Sequence, residues 1–178
     1  MVGSAQYIST MTGEELRRRY AAGERDFSGV DLSGANISGV SRRFDIGSYD
    51  EPYLQGITPD LRGINLSGAN LSNARLAGVN LADANLSNAN LTRASLSNAN
   101  LTKTNLSGAN LTEACLDSAE FEDTDIRGAN LLNAEIVQAG SFDVIATGAT
   151  NITTINFEGT TVYLVLDDGT IIDDNHDW

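Results

Sequence analysis

Cysteine occurs once in the 178 residues, at Cys115, so an internal disulfide is excluded. That agrees with a reducing compartment. Proline occurs only at Pro52 and Pro59, inside one short stretch. Aromatic residues make up 6% of the chain, so an ordered interior has to be filled by aliphatic side chains. Bases are scarce too: 11 Lys and Arg stand against 24 Asp and Glu, a net charge of −13. This balance argues against direct binding to nucleic-acid phosphate or to an anionic membrane. There is no signal-peptide core and no apolar run of the roughly 18 residues that suggests a membrane span. The expectation is a soluble cytoplasmic protein.

What is present is a period of five. The stretch "NLADANLSNANLTRASLSNANLTKTNLSGANL", Asn80 to Leu111, places leucine at every fifth position seven times. Sixteen such core positions follow without a slip from Leu61 to Ile136, with Phe121, Ile126 and Ile136 replacing leucine at three of them. Two residues before the core position stands a small residue, usually alanine. Between the two lies a polar residue, usually asparagine, and after the core position come Ser or Thr and then Gly, Asn or a charge.

Neither regular element accommodates this pattern. In a helix five residues advance about 500°, so the leucines would spread around the whole surface. In a continuous strand an odd period sends alternate leucines to opposite faces. Within one unit, however, the alanine and the leucine are two apart, so both point inward and the asparagine points out, as in a strand. The two remaining residues form turns. The chain therefore steps, turns and repeats, and its coils stack at strand spacing, roughly 4.8 Å, to pair their backbone groups.

The units "ANLSN", "ANLTR" and "ANLTE" resemble the A(D/N)LXX motif of the pentapeptide repeat family. "RYAAGERDFSG" is similar to the lead-in of cyanobacterial members. The resemblance implies a right-handed quadrilateral β-helix, a pentapeptide repeat solenoid with four units per coil. About 23 units then make roughly six coils and a rod roughly 30 Å long.

Three segments depart from the repeat. Residues 1–26 are expected to hold a flexible start and a short N-terminal α-helix cap. Thr12 is placed to N-cap it, with Glu15 in the capping-box position, Leu16 and Tyr20 on one face, and Gly23 at the stop. The β-helix proper is assigned to residues 27–162, from the core residues Phe27, Leu32 and Ile37 onward, with an insertion loop at 41–60. That insertion carries Arg42, Arg43, Phe44, Tyr49 and Tyr53, a candidate partner-binding loop. After Ile136 the register slips by one. Core positions then fall on Phe142, Thr147, Ile152, Phe157 and Val162, with Thr147 a poor filler. Residues 163–178 are read as a C-terminal β-hairpin and acidic tail, turning at Asp168-Gly169. The apolar run Val162, Tyr163, Leu164, Val165 and Leu166 either caps the last coil or joins a second copy. The resemblance implies that dimerisation through this end occurs in the family.

Catalytic chemistry finds no support in the residues. A filled β-helix offers no pocket for convergent polar groups. His176, the sole histidine, is two residues from the end, and Cys115 lies between Glu113 and Asp117, which gives it no reason to be a thiolate. "DDNHD" opens like a calcium loop but lacks the glycine and closing glutamate. The expectation is no cofactor and no metal. The Asn-X-Ser/Thr sequons are by-products of the repeat.

The resemblance also raises mimicry of DNA toward gyrase and other type II topoisomerases. The charge distribution weighs against it. Residues 1–60 carry nine acids and six bases, residues 61–138 eight and five, and residues 139–178 seven and none. The stretch from Leu61 to Ala99 holds only Asp83 against Arg62, Arg75 and Arg93. Duplex DNA carries about one charge per 1.7 Å. The family's topoisomerase-binding members also favour Phe at core positions, where this chain uses Leu. The sequence is thus read as a non-enzymatic scaffold for an unidentified protein partner, with topoisomerase mimicry as the alternative.

Overall fold

A computed structural model describes residues 10–38, 58–137, 139–152, 160–165 and 171–173. Its repeating unit accounts for every backbone N–H it contains. In the unit from Ala69 to Asn73, the N–H of Ala69 donates to the Leu66 carbonyl (3.0 Å) and closes a turn. Asn70 N–H donates to Val30 in the preceding coil (2.9 Å). Leu71 N–H donates to Asn90 and Asn73 N–H to Thr92 in the following coil (2.7 and 2.9 Å). The fifth N–H, of Ser72, is accepted by the side-chain oxygen of Asn70 at 3.2 Å. Asparagine therefore faces outward and also completes the backbone pairing, the second role being one that periodicity does not reveal.

The turn needs one residue with positive φ. Gly68 supplies it at 64°, but Asn73, Arg93 and Lys103 supply it as well, each at 57°. The left-handed conformation costs a non-glycine residue about 1–2 kcal/mol, least for Asn. The stacked ladder holds charged residues there all the same.

Isolated parallel bridges join residues 20 apart, such as Asn65 to Asn85 and Asn80 to Asn100. A spacing of 20 is four pentapeptides, so the coil has four sides. Inside, Leu66, Leu71, Leu76, Leu81 and their successors are wholly buried, with Ala69, Ala74 and Ala84 between them. The first coil runs through Asp26, Asp31 and Asn36, which bridge residues 39 further on, whereas Asp60 bridges Asn80 at the normal 20. The 19 residues added to the normal spacing thus fall between Asn36 and Asp60, and Asp60 holds the fourth side of the first coil.

Helix α1, Gly13–Ala21, closes the first coil. Thr12 accepts from the Glu15 N–H (3.1 Å), while the Glu15 carboxylate turns to Arg18 (2.7 and 2.8 Å). The helix stops at Gly23, φ 99°, with Glu24 N–H bonded to Arg19 O and Gly23 N–H to Tyr20 O, the double bond of a Schellman end. Leu16 is fully buried on the core. Carbonyls that would otherwise await a preceding coil are taken up by this segment. Met11 N–H donates to Asp31 O (2.7 Å), Arg17 to Asn36 O and Ile37 O (3.0 Å each), and Tyr20 OH to Arg62 O (2.8 Å). Gly13 lies so close that a Cβ there would fall 1.9 Å from Asn36 O.

At the other end the bridges lengthen into strands β1 (Phe121–Asp125), β2 (Gly140–Ile145), β3 (Thr160–Val165) and β4 (Ile171–Asp173). The sheet order is β1-β2-β3-β4, with β4 antiparallel to β3 through Leu164 opposite Ile172. The register slip anticipated after Ile136 is cancelled almost at once. Phe121 pairs with Phe142, 21 residues on, but Thr124 pairs with Val144, 20 on, across a bulge. The next buried position is consequently Ala146, 1% exposed, and Thr147 is exposed. This corrects the placement of Thr147 in the core. Asn151, with φ 62°, then occupies the place where a core residue is due, and Ile152 packs only partly against the core.

Candidate binding surface

The interior leaves no room for chemistry among the described residues. Two alanine slots hold threonine, Thr104 and Thr124, both fully buried. Their hydroxyls donate to Leu81 O (2.8 Å) and Leu101 O (2.9 Å). No buried side-chain nitrogen or oxygen among the described residues lacks a partner. One open cleft of about 420 Å³ lies where Thr10 to Arg17 meet Ser33 to Asn36.

The outward residues form four columns. The first runs Asp26, Asn65, Asn85, Asn105, Asp125, and the second Asp31, Asn70, Asn90, Asn110, Asn130, Thr150. The fourth runs Asp60, Asn80, Asn100, Glu120. In the second column amides bond from coil to coil: Asn70 to Asp31 (3.0 Å), Asn90 to Asn70 (3.2 Å) and Asn130 to Asn110 (3.4 Å). In the first, Asp26 accepts from the Ser28 N–H and from Asn65 (3.1 and 2.9 Å). The carboxyls of Asp26 and Asp31 sit below their usual range, chiefly because the backbone N–H groups of Ser28 and Ser33 donate to them.

The third column is different: Asn36, Arg75, Ser95, Cys115, Glu135. Beyond the first coil it holds no amide. Cys115 is half-buried with its Sγ 3.1 Å from Ser97 Oγ. Cys115, Asp117 and Glu135 bring their ligand-type atoms within 4.8 Å of one another. Sequence spacing placed only Cys115 and Asp117 side by side; Glu135 arrives through the 20-residue coil. Beside this column, Arg93 pairs with Glu113 at 2.6 Å, and that contact lowers the Glu113 carboxyl. Asp125 is likewise lowered, mainly by its hydrogen bond from Arg127.

Of the residues singled out in the sequence, Arg42, Arg43, Phe44, Tyr49 and Tyr53 lie outside the described residues, as does Leu166. Val162, Tyr163, Leu164 and Val165 fall in β3, which begins at Thr160 and lies between β2 and β4. No helix among the described residues is long and apolar enough to cross a membrane.

The family described as Pentapeptide repeats matches residues 60–98 and 104–139 in eight copies. A pentapeptide repeat protein from the Arabidopsis thaliana thylakoid lumen is 27% identical, with a TM-score of 0.51, over 65% of this chain and 68% of that one. A pentapeptide repeat protein from Nostoc PCC 7120 is 34% identical over 65% of this chain and 82% of that one, with a TM-score of 0.31. QnrB1, a plasmid-mediated fluoroquinolone resistance protein, is 18% identical over 77% and 81%, with a TM-score of 0.27. No curated protein matches the chain.

Proposed function

The chain belongs to the pentapeptide repeat family, and on that premise we propose that it is a non-enzymatic scaffold: a right-handed quadrilateral β-helix that holds surfaces rigid for a protein partner. The observation that carries this reading is the solid interior. Every inward side chain from Leu61 to Ile136 is buried, and outward amides are fixed by bonds to their own backbone and to neighbouring coils. Such a surface loses little conformational entropy on binding. The insertion at 41–60, with Arg42, Arg43, Phe44, Tyr49 and Tyr53, is the proposed recognition element, because it interrupts an otherwise uniform surface at the first coil. The segment Val162–Leu166, with β4 outside it, is the proposed capping element and the site of any end-to-end homodimer. We place the protein in the cytoplasm on its acidity and single cysteine.

Capture from lysate with the full chain and with residues 41–60 excised tests the reading. A partner lost on excision, and on joint replacement of Phe44, Tyr49 and Tyr53 by alanine, is the expected result. Gyrase supercoiling is expected to be unaffected by the purified protein. Inhibition would replace the scaffold reading with topoisomerase mimicry.

A further inference from the structure

The third column carries a charge pattern that the others lack. Down four successive coils it reads Arg75, Ser95, Cys115, Glu135: a cation at one end, a carboxylate at the other, two small neutral residues between. The adjoining corner repeats the arrangement. Its left-handed turn positions on the same four coils are Asn73, Arg93, Glu113 and Asn133. A surface so ordered is complementary to itself under a two-fold rotation that reverses the rod.

We propose that this side is an interface between two copies of the chain laid antiparallel, with the axis passing between the coil of Ser95 and the coil of Cys115. Arg75 of each copy then faces Glu135 of the other. The Arg93–Glu113 pairs of the two copies, each closed at 2.6 Å, meet as one network of alternating charge. Ser95 faces Cys115, and on the far corner Ala77 faces Val137. The first, second and fourth columns carry carboxylates and no base, so none of them can set a cation against a carboxylate under such a rotation. A two-fold interface is isologous, so it demands this self-matching. The pairs are exposed, and salt weakens the association.

Sedimentation equilibrium of the full chain at low ionic strength tests the proposal. The wild type forms a dimer. Arg75→Glu alone and Glu135→Arg alone each weaken it by about tenfold or more, the scale of a close charge pair lost twice over. The double variant restores the match and returns the affinity to within about threefold of wild type. Cys115 is the sole cysteine, and in the dimer the two thiols lie one coil spacing apart along the rods, roughly 5 Å, across a face-to-face gap of roughly 10 Å. A bismaleimide of about that reach therefore cross-links the wild type and the double variant, not the single ones. Circular dichroism of each variant confirms the fold. A chain that is monomeric throughout overturns the proposal, as does a double variant that stays monomeric while folded. A dimer indifferent to both single reversals but lost on removal of residues 171–178 also overturns it and assigns pairing to the C-terminal end. The partner-binding reading of the insertion is scored separately by excision of 41–60.

Discussion

The coils from Leu61 to Ala119 and those from Phe121 onward solve the same stacking problem differently. In the first region each side touches the following coil through a single bridged residue, 20 further on. In the second, one side pairs through strands of five and six residues and passes from 21 to 20 across a bulge, while Asn130 still meets Thr150 by a single bridge. The change coincides with "DSAEFEDTD", where Glu120 replaces the outward asparagine and its lock on the following N–H is lost. Regularity in this fold is therefore not a matter of leucines alone. It rests on an inward aliphatic residue and a left-handed turn residue together, and it survives at Arg75, Ser95 and Cys115, where the outward amide is missing but pairing stays a single bridge.

Substitutions can break this contrast, beginning with the core. Leu101→Asp buries an unpaired carboxylate among stacked leucines and is expected to abolish the cooperative melt. The neighbouring Asn100→Asp keeps the oxygen that accepts from Thr102 N–H (2.9 Å) and is expected to shift stability by under about 0.5 kcal/mol. Circular dichroism melts of the pair measure both. If they fall equally, the inward and outward assignment is wrong. Leu101→Ala should cost about 2–5 kcal/mol, and Val144→Ala, a smaller residue in the later coils, about half as much.

The role of the amide columns is sharpened by a second pair. Asn90→Ala removes the acceptor for Thr92 N–H (3.2 Å) and the bond to Asn70 (3.2 Å), at an expected cost of about 1 kcal/mol in denaturant melts. Ser95→Ala, in the column without amides, is expected to be near neutral in the same assay. Gly68→Ala probes the turn. No neighbouring atom lies within 4 Å of the added Cβ, so the expected loss of about 1 kcal/mol is conformational alone.

The smallest effect is on pH. Asp26, Asp31, Glu113 and Asp125 all titrate below their ordinary values in the folded chain. A depressed carboxyl contributes stability above its unfolded pKa, and that contribution is lost as pH falls through the folded value. Melting temperature should thus be flat from about pH 5 to 7 and fall below about pH 4. Asp31→Asn keeps the turn acceptor, as Asn70 does one coil on, and should reduce the acid slope while leaving neutral stability almost unchanged.

Much of this was legible because the motif repeats. Leu81, Leu101 and Phe121 announce a column by spacing alone, and Thr12, Leu16 and Gly23 mark the helix by their own chemistry. The second duty of asparagine was not legible, since an outward polar residue reads the same whether or not it holds a backbone N–H. Nor was the bulge opposite Phe142. A one-residue slip in sequence has the same appearance whether it persists or is absorbed locally, and only the pairing of Thr124 with Val144 distinguishes the two. The third column is not legible in the sequence because its members are 20 residues apart, and two of them, Ser95 and Cys115, pass individually for ordinary lapses from consensus.

A stack of coils is, in principle, a seed for indefinite growth, since each open end offers the next molecule the same ladder. The first coil here is withdrawn from that traffic. With Asp31, Asn36 and Arg62 carbonyls already engaged by Met11, Arg17 and Tyr20, a tail meets a head whose acceptors are taken at three points, which disfavours end-to-end growth into a fibre.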